Sequence, residues 1–269
     1  MEISCDGVFM KKMSEYAFPL GGLRCYYYTA SVDNALDIIE KSHLYGSFPS
    51  KVNDPDDLRI EIMGLDRSPL LSANANVQEN VNRQLVKKTI MDRVYRFVCL
   101  ADADKVDIDS SSALRFWNEY AGGFKGVRFE FTVDKNFVLT PTSQECLCEN
   151  ISYTGEKAIL DLSNVKNVED IEKEVQKEDF LRSLCYSKAE KWSAEYEFRI
   201  GSVYRRLKNE MSLISSREER FFEFDKSSIK SVTVGCLAEE ADIMKLKMFS
   251  TKHSLNLLLA EVDLKTRTI

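Results

Sequence analysis

The sequence lacks the features that would place it in a membrane or in an oxidising compartment. No apolar run approaches the roughly 20 residues that span a bilayer, and the opening stretch "MEISCDGVFMKKMSEYAF" has no signal-peptide core. The seven cysteines are odd in number and scattered, which is unlike a disulfide framework. These absences predict a cytoplasmic protein that has no membrane partner.

Histidine and the usual metal-binding cysteine spacings are also scarce. The chain has only two histidines, His43 and His253, and its one close cysteine pair, Cys146 and Cys148, lacks the CxxC spacing of zinc ribbons. The net charge of −6 argues against broad electrostatic binding to a polyanion. We therefore expect neither a resident metal nor an extended surface for nucleic acids.

The familiar enzyme signatures are missing as well. The sequence contains no P-loop, no GxGxxG turn, no GxSxG elbow and no HExxH helix. It has only five prolines and eleven glycines, and no repeat or long linker divides it. We predict an amino-terminal extension over residues 1–22, followed by a single domain over residues 23–269.

Strand and helix patterns alternate irregularly along this domain. The stretch "LRCYYYTA" (23–30) predicts a strand, and "FVCLA" and "GVRFEFTV" predict two more. The predicted helices cover residues 31–44, 76–96, 110–124, 167–190 and 239–253. Because strands follow one another like hairpins in the second half, we expect an α+β fold with a mixed, mostly antiparallel sheet and flanking helices.

Charged residues alternate in the stretch "KWSAEYEFRIG" (191–201). On a strand, Glu195, Glu197 and Arg199 would share one face, and the apolar residues between them would pack on the core. One interpretation is a solvated face with cross-strand ion pairs. The other is a wall of paired carboxylates, which can stabilise a developing positive charge on a sugar.

Two further clusters have both a structural and a functional interpretation. In "VNDPDD" (52–57), Asn53 and Asp54 could help bind a hard cation, or they could cap their own backbone in a turn. In "FWNEYAGGFKG" (116–126), Trp117 and Tyr120 are neighbours on one helix face. Aromatic residues at this spacing usually pack in a core, but a ring beside a pocket could stack on a base or on nicotinamide.

In this order, the motifs resemble a known family. An early strand with Arg and Tyr is followed by "NDP-x-D", "W-x-x-Y-A", "K-x-x-x-W-x-x-E-x-E-x-R" and "V-x-x-G". This pattern is similar to the uncharacterised, mainly bacterial family catalogued as domain of unknown function 2971. The matching residues are Asn53, Asp54, Pro55, Asp57, Trp117, Tyr120, Ala121, Gly126, Lys188, Trp192, Glu195, Glu197, Arg199, Val232 and Gly235.

A looser similarity, to the ADP-ribosyltransferase fold, implies a chemistry. The pair of glutamates on a strand resembles the pair with which such enzymes act on NAD. The resemblance implies that Glu197 is catalytic at the nicotinamide ribose and that Glu195 orients the acceptor. The other residues that it places around NAD are Arg24, Tyr26, Asn53, Asp54, Trp117, Tyr120, Trp192 and Arg199.

Three functional hypotheses follow. The first is an NAD-dependent ADP-ribosyltransferase-like protein, which would transfer ADP-ribose to an unknown protein or nucleic-acid acceptor as a bacterial or phage toxin, effector or defence component. The second is a metal-dependent phosphodiesterase or nuclease, in which Asp54, Asp57 and the two glutamates would converge on Mg²⁺. The third is a non-enzymatic sensor or interaction module, in which Trp192, Glu197 and Arg199 would form a buried network.

Overall fold

The computed structural model describes residues 12–51, 57–64, 95–139, 145–166, 168–175, 177–203 and 221–261. Most of the helix predicted over 76–96 lies outside these residues, as do Asn53 and Asp54 of the predicted site. Within the described residues the chain forms α-helices and strands, and most strand pairs are antiparallel. The predicted α+β class is therefore confirmed.

The described residues form eleven strands: β1 Leu23–Thr29, β2 His43–Tyr45, β3 Ile60–Met63, β4 Tyr95–Asp102, β5 Val127–Val133, β6 Glu145–Asn150, β7 Ala158–Asp161, β8 Glu197–Val203, β9 Phe221–Glu223, β10 Ile229–Val234 and β11 Leu257–Leu259. Seven of these strands form the central sheet, in the order β11-β10-β5-β1-β4-β8-β6. Every neighbouring pair in it is antiparallel except β10 and β11. The remaining strands form two small sheets, one pairing β2 with β9 and one pairing β3 with β7.

Helices flank the main sheet. The α-helices span Val32–Lys41, Ala103–Ile108, Ser110–Glu119, Val168–Val175, Glu178–Cys185 and Glu240–Lys252. Three 3₁₀ helices span Pro49–Lys51, Glu190–Glu195 and Lys226–Ser228. The helical region predicted over 167–190 contains two α-helices, and the 3₁₀ helix begins only at its last residue, Glu190. None of the described helices is long and apolar enough to cross a bilayer.

The two faces of the main sheet pack against different partners. On one face, alternating residues such as Phe129 and Phe198 pack in a large core with the helices Val32–Lys41 and Glu240–Lys252. On the other face, Tyr95 and Phe97 pack in a second core that contains β3, β7 and the two helices within 168–185. The candidate site lies on this second face.

The main sheet is split between β1 and β4. These strands pair only at Cys25 with Asp102 and at Tyr26 with Ala101, and the next residues along each strand have no partner across the gap. Beyond the gap, the bridge of Ser47 to Phe97 takes over the pairing of β4. A pocket can therefore open between two central strands of the sheet.

Part of the predicted amino-terminal extension packs on the sheet. Lys12 bridges to Leu147 on the edge strand β6, and Met13 is buried in the large core. The rings of Tyr16 and Phe18 both contact the ring of Phe198. Residues 12–18 therefore help to cover the face of β8 that lies opposite the candidate site.

The glycine of the V-x-x-G motif has a packing role. Gly235 follows β10, and its amide donates to the carbonyl of Gly126. A β-carbon at Gly235 would lie 2.1 Å from the Phe124 carbonyl oxygen and 3.2 Å from the Trp117 ring. Only glycine allows this close approach, so the motif fixes the turn that holds Trp117 against the sheet.

Candidate active site

A fully buried guanidinium stands at the centre of the site. Arg199 on β8 donates from Nε to Glu197 at 2.7 Å, from Nη2 to Asp57 at 3.0 Å and from Nη1 to the Cys185 carbonyl at 2.7 Å. Its guanidinium also lies over the ring of Phe97, 4.5 Å from the centroid. Such a buried cation is tolerated because its donors are satisfied by two carboxylates and a carbonyl.

A second buried cation joins three carboxylates. The Lys188 Nζ lies 2.6 Å from Glu195, 3.3 Å from Glu197 and 3.7 Å from Asp57. The coulombic attraction of these groups outweighs the effect of burial and raises the pKa of Lys188 above its usual value. Lys188 therefore remains charged and holds the two glutamates together.

The backbone that carries the glutamates differs from the predicted continuous strand. Glu195 ends a 3₁₀ helix, Tyr196 has a left-handed conformation with φ of 45°, and the strand begins only at Glu197. Tyr196 is half-buried and does not join the apolar core face, contrary to the alternation pattern. The kink nevertheless turns both carboxylates towards Lys188, so the prediction that they lie together is confirmed although its reason was wrong.

The helix Ser110–Glu119 fixes this kinked segment from both of its ends. At its start, Asp109 caps the helix by accepting from the amides of Ser111 and Ser112, and Ser112 donates to the carbonyl of Ala194 at 2.7 Å. At its end, the hydroxyl of Tyr120 donates to Glu195 at 2.6 Å. The 3₁₀ helix is therefore anchored before the strand begins.

A cavity of about 260 Å³ opens on this network at the split in the sheet. Glu195, Glu197 and Lys188 line its acidic end. Its other walls are rich in tyrosine and phenylalanine from β1, β2, β4 and the helix Ser110–Glu119: Tyr26, Tyr27, Tyr28, Tyr45, Phe97, Phe116 and Tyr120. The site thus combines carboxylates with flat aromatic surfaces.

Glu197 is ionised even though it is buried. Burial favours the neutral acid, but Arg199 and Lys188 outweigh it and hold the pKa of Glu197 at about 2. The neighbouring thiol of Cys99 also helps to lower the pKa of this carboxylate. Enclosure in the cavity wall and the neighbouring Glu197 raise the pKa of Cys99, so this thiol is protonated at neutral pH, although its side chain is exposed to the cavity.

The low pKa of Glu197 predicts a pH-dependent contribution to stability. Because the folded-state pKa lies below the unfolded value near 4.5, the contribution is complete above pH 4.5 and is lost as the pH falls towards 2. We expect Glu197→Gln to lower the free energy of unfolding by on the order of 3 kcal/mol at pH 7, and the difference from wild type to shrink below pH 4.5.

Urea unfolding of both proteins at pH 7, 5 and 3.5 measures this difference. A difference that stays constant over the three pH values would contradict the low pKa of Glu197. The stabilisation that the variant lacks is present in wild type only while Glu197 is ionised, so it must decrease as Glu197 is protonated.

Several residues predicted for the site meet at the cavity. Tyr26 and Tyr120 line it, and Arg199 lies behind Glu197. Trp192 is half-buried beside the network, with its ring 5.2 Å from the Lys188 Nζ and 4.5 Å from the Arg115 guanidinium. Trp192 is thus placed to cover Lys188, although it is not part of the cavity wall.

Two other predicted residues lie elsewhere. Trp117 is fully buried between Tyr28 and Phe124 and does not line the cavity, which corresponds to the core interpretation of its helix. Arg24 is half-exposed and pairs with three carboxylates, those of Asp104, Asp107 and Glu130. Asn53 and Asp54 lie outside the described residues.

Sequence reasoning gave no role to Lys188 and Cys99. Lys188 is the first residue of the K-x-x-x-W-x-x-E-x-E-x-R motif, so its fixed spacing from the two glutamates was the available signal. No motif contains Cys99, so no local pattern marked it. Its register partner across β4 and β8 is Arg199, which puts both side chains on the site face of the sheet.

Residues 116–200 match a family model described as "Protein of unknown function (DUF2971)". This match supports the resemblance that the motifs indicated, and the matched segment contains the W-x-x-Y-A motif and the whole motif from Lys188 to Arg199. No curated protein and no solved structure matches the chain. The family description names no activity.

Proposed function

We propose that this protein uses NAD as a co-substrate, releases nicotinamide and transfers ADP-ribose to an acceptor. The observation that carries the proposal is the pair of carboxylates, Glu195 and Glu197, in the wall of an aromatic cavity. One of them, Glu197, is held ionised by Arg199 and Lys188. A fixed anion of this kind stabilises positive charge that develops on a sugar.

The residues fit a nicotinamide riboside unit. A cavity of about 260 Å³ lies just below the range of roughly 300–1,000 Å³ that whole ligands occupy, so it suits one ring and one sugar rather than a complete dinucleotide. Tyr26 and Tyr120 offer aromatic surface to a flat ring. The Glu197 carboxylate lies at the acidic end of the same space.

The chemistry follows from this arrangement. The bond between the nicotinamide nitrogen and C1′ of the ribose breaks, and its electron pair leaves with nicotinamide. Glu197 stabilises the oxocarbenium-like sugar while that bond lengthens. An acceptor oxygen or nitrogen then bonds to C1′, and Glu195 takes the proton that the acceptor loses.

The experiment is incubation of the protein with NAD labelled in the adenylate part, with cell extract or nucleic acid as acceptor. We expect nicotinamide release and labelled product, and a loss of at least about 100-fold in rate for Glu197→Gln. Arg24→Gln is a matched control because it removes a charge outside the cavity. Unchanged NAD, or equal rates for wild type and Glu197→Gln, would overturn the proposal.

Mass spectrometry of Cys99 gives a second readout that is independent of turnover. Because Cys99 lines the cavity while Cys25, Cys148 and Cys185 are buried, NAD is expected to slow its alkylation by a small thiol reagent. Alkylation of Cys236, which is half-buried and does not line the cavity, should proceed at the same rate with and without NAD.

The metal hypothesis has weaker support. The structure brings Asp57, Glu195 and Glu197 together, as that hypothesis required, but the ammonium of Lys188 lies between them. Among the described residues, no group of three or more His, Cys, Asp or Glu side chains is arranged to hold a metal ion. We therefore give preference to the NAD proposal.

A further inference from the structure

Charge is distributed unevenly along the cavity wall. The buried end carries Glu195, Glu197 and Asp57 with Lys188 among them. The exposed end is formed by the segment from β2 to the 3₁₀ helix Pro49–Lys51, which contributes two hydroxyls and one ammonium: Tyr45, Ser47 and Lys51. Hydrogen-bond donors therefore gather at the end where a ligand enters.

Lys51 differs from the other cations near the site. Arg199 and Lys188 are each bonded to buried carboxylates, and Arg24 pairs with three surface carboxylates away from the cavity. Lys51 is exposed and lines the cavity, and within the described part of the chain it forms no ion pair with a carboxylate. An anion at the mouth would thus meet an ammonium that is free to bind it.

We propose that Lys51, assisted by the hydroxyls of Tyr45 and Ser47, forms a phosphate-binding subsite at the mouth of the cavity. This inference rests on the proposed function. If the acidic end holds nicotinamide and its ribose, the size of the cavity forces the attached phosphates towards the exposed end. Lys51 then holds the anionic part of NAD, whereas Arg24, which the resemblance places beside NAD, does not line the cavity.

The test compares three ligands that share the nicotinamide riboside unit. NAD and nicotinamide mononucleotide carry phosphate, whereas nicotinamide riboside does not. We expect Lys51→Ala to weaken binding of the two phosphate-bearing ligands by about tenfold or more and to leave the riboside unchanged, because only a charge-assisted hydrogen bond is lost. Lys51→Arg should keep most of the affinity.

Isothermal calorimetry at two salt concentrations measures the affinities, and Lys247→Ala is the matched control. Lys247 is also an exposed lysine, but it lies on the helix Glu240–Lys252 behind the opposite face of the sheet. Wild-type affinity for NAD in Lys51→Ala overturns the inference, and so does an equal loss for the riboside. Either result leaves the proposed function standing if wild type binds all three.

Binding of inorganic pyrophosphate tests the phosphate-binding subsite independently of whether NAD is the substrate. A wild-type protein that binds pyrophosphate but not NAD, with pyrophosphate binding lost in Lys51→Ala, keeps the subsite and removes the proposed substrate. A wild-type protein that binds neither pyrophosphate nor NAD overturns both.

Discussion

Replacement of Arg199 by methionine is expected to lower the free energy of unfolding by about 3–5 kcal/mol at pH 7. Methionine is unbranched and fills part of the same space but has no charge, so Glu197 and Asp57 would remain buried without their main cation. The Cys185 carbonyl would lose its donor too. The penalty comes from these stranded groups and not from lost packing.

Arg24→Met is the matched control for this experiment. Arg24 contacts three carboxylates and Arg199 contacts two, but the side chain of Arg24 is 43% exposed, whereas that of Arg199 is 0% exposed. Water screens the Arg24 pairs, so we expect a cost of about 1 kcal/mol or less. The number of ion pairs is thus similar in the two variants, and only burial differs.

Urea unfolding followed by circular dichroism measures both variants against wild type. A cost for Arg199→Met that is no larger than that for Arg24→Met would show that the network does not depend on the guanidinium. A large cost together with normal NAD cleavage would instead favour the hypothesis that Arg199 is purely structural.

The sequence predicted the sheet well where alternation decides burial. β5 shows strict alternation of buried and half-buried residues, and β1 lies where its aromatic run indicated. These predictions succeed because a strand that packs one face on a core must alternate. The helix caps at Ser31 and Asp109 follow from equally local chemistry, because each side chain accepts from amides of the first helical turn.

The sequence indicated that the two glutamates lie together, but it did not indicate the backbone that brings them together. Glu195 and Glu197 do lie together, but the cause is the left-handed backbone at Tyr196. The prediction instead assumed a continuous strand with alternating side chains, and such a strand has no left-handed residue. Alternation also left a solvated face and a reactive wall as alternatives. The structure shows a buried face, because Lys188 and Arg199 offset the charge of the two glutamates, and Asp57 comes from a distant segment to pair with Arg199.

Long-range contacts explain the remaining failures. The split between β1 and β4 depends on Ser47 replacing β1 as the partner of Phe97, which no local pattern indicates. Trp117 lies in the core because Gly235, more than a hundred residues away, leaves room for its ring. Such contacts belong to tertiary structure and have no signature in a short window of sequence.

Replacement of Lys188 by alanine is expected to destabilise the protein by about 3–5 kcal/mol at pH 7. Removal of the ammonium leaves the carboxylates of Asp57, Glu195 and Glu197 close together, with oxygens that lay 2.6–3.7 Å from the same Nζ atom. Their mutual repulsion disfavours the charged state. We therefore expect at least one of them to acquire a raised pKa in the variant.

Lys191→Ala is the control, because the two lysines flank the same ring. Each Nζ lies 5.2 Å from the Trp192 centroid, but Lys191 is exposed and Lys188 is buried. We expect Lys191→Ala to cost about 1 kcal/mol or less. Equal costs for the two variants in urea unfolding would contradict the role of Lys188 in holding the carboxylates.

Acid and calcium should each restore part of the stability of Lys188→Ala. As the pH falls through the raised pKa, protonation relieves the repulsion, so the difference from wild type shrinks. Ca²⁺ binds carboxylate oxygens at about 2.3–2.6 Å, so a small inward shift of the three carboxylates would coordinate it, and binding to the folded state raises the melting temperature. Wild type should show no such response, because its own ammonium already occupies the position. A calcium response in wild type as large as that in the variant would instead revive the metal hypothesis, since it would show that the carboxylates accept a divalent cation with Lys188 in place.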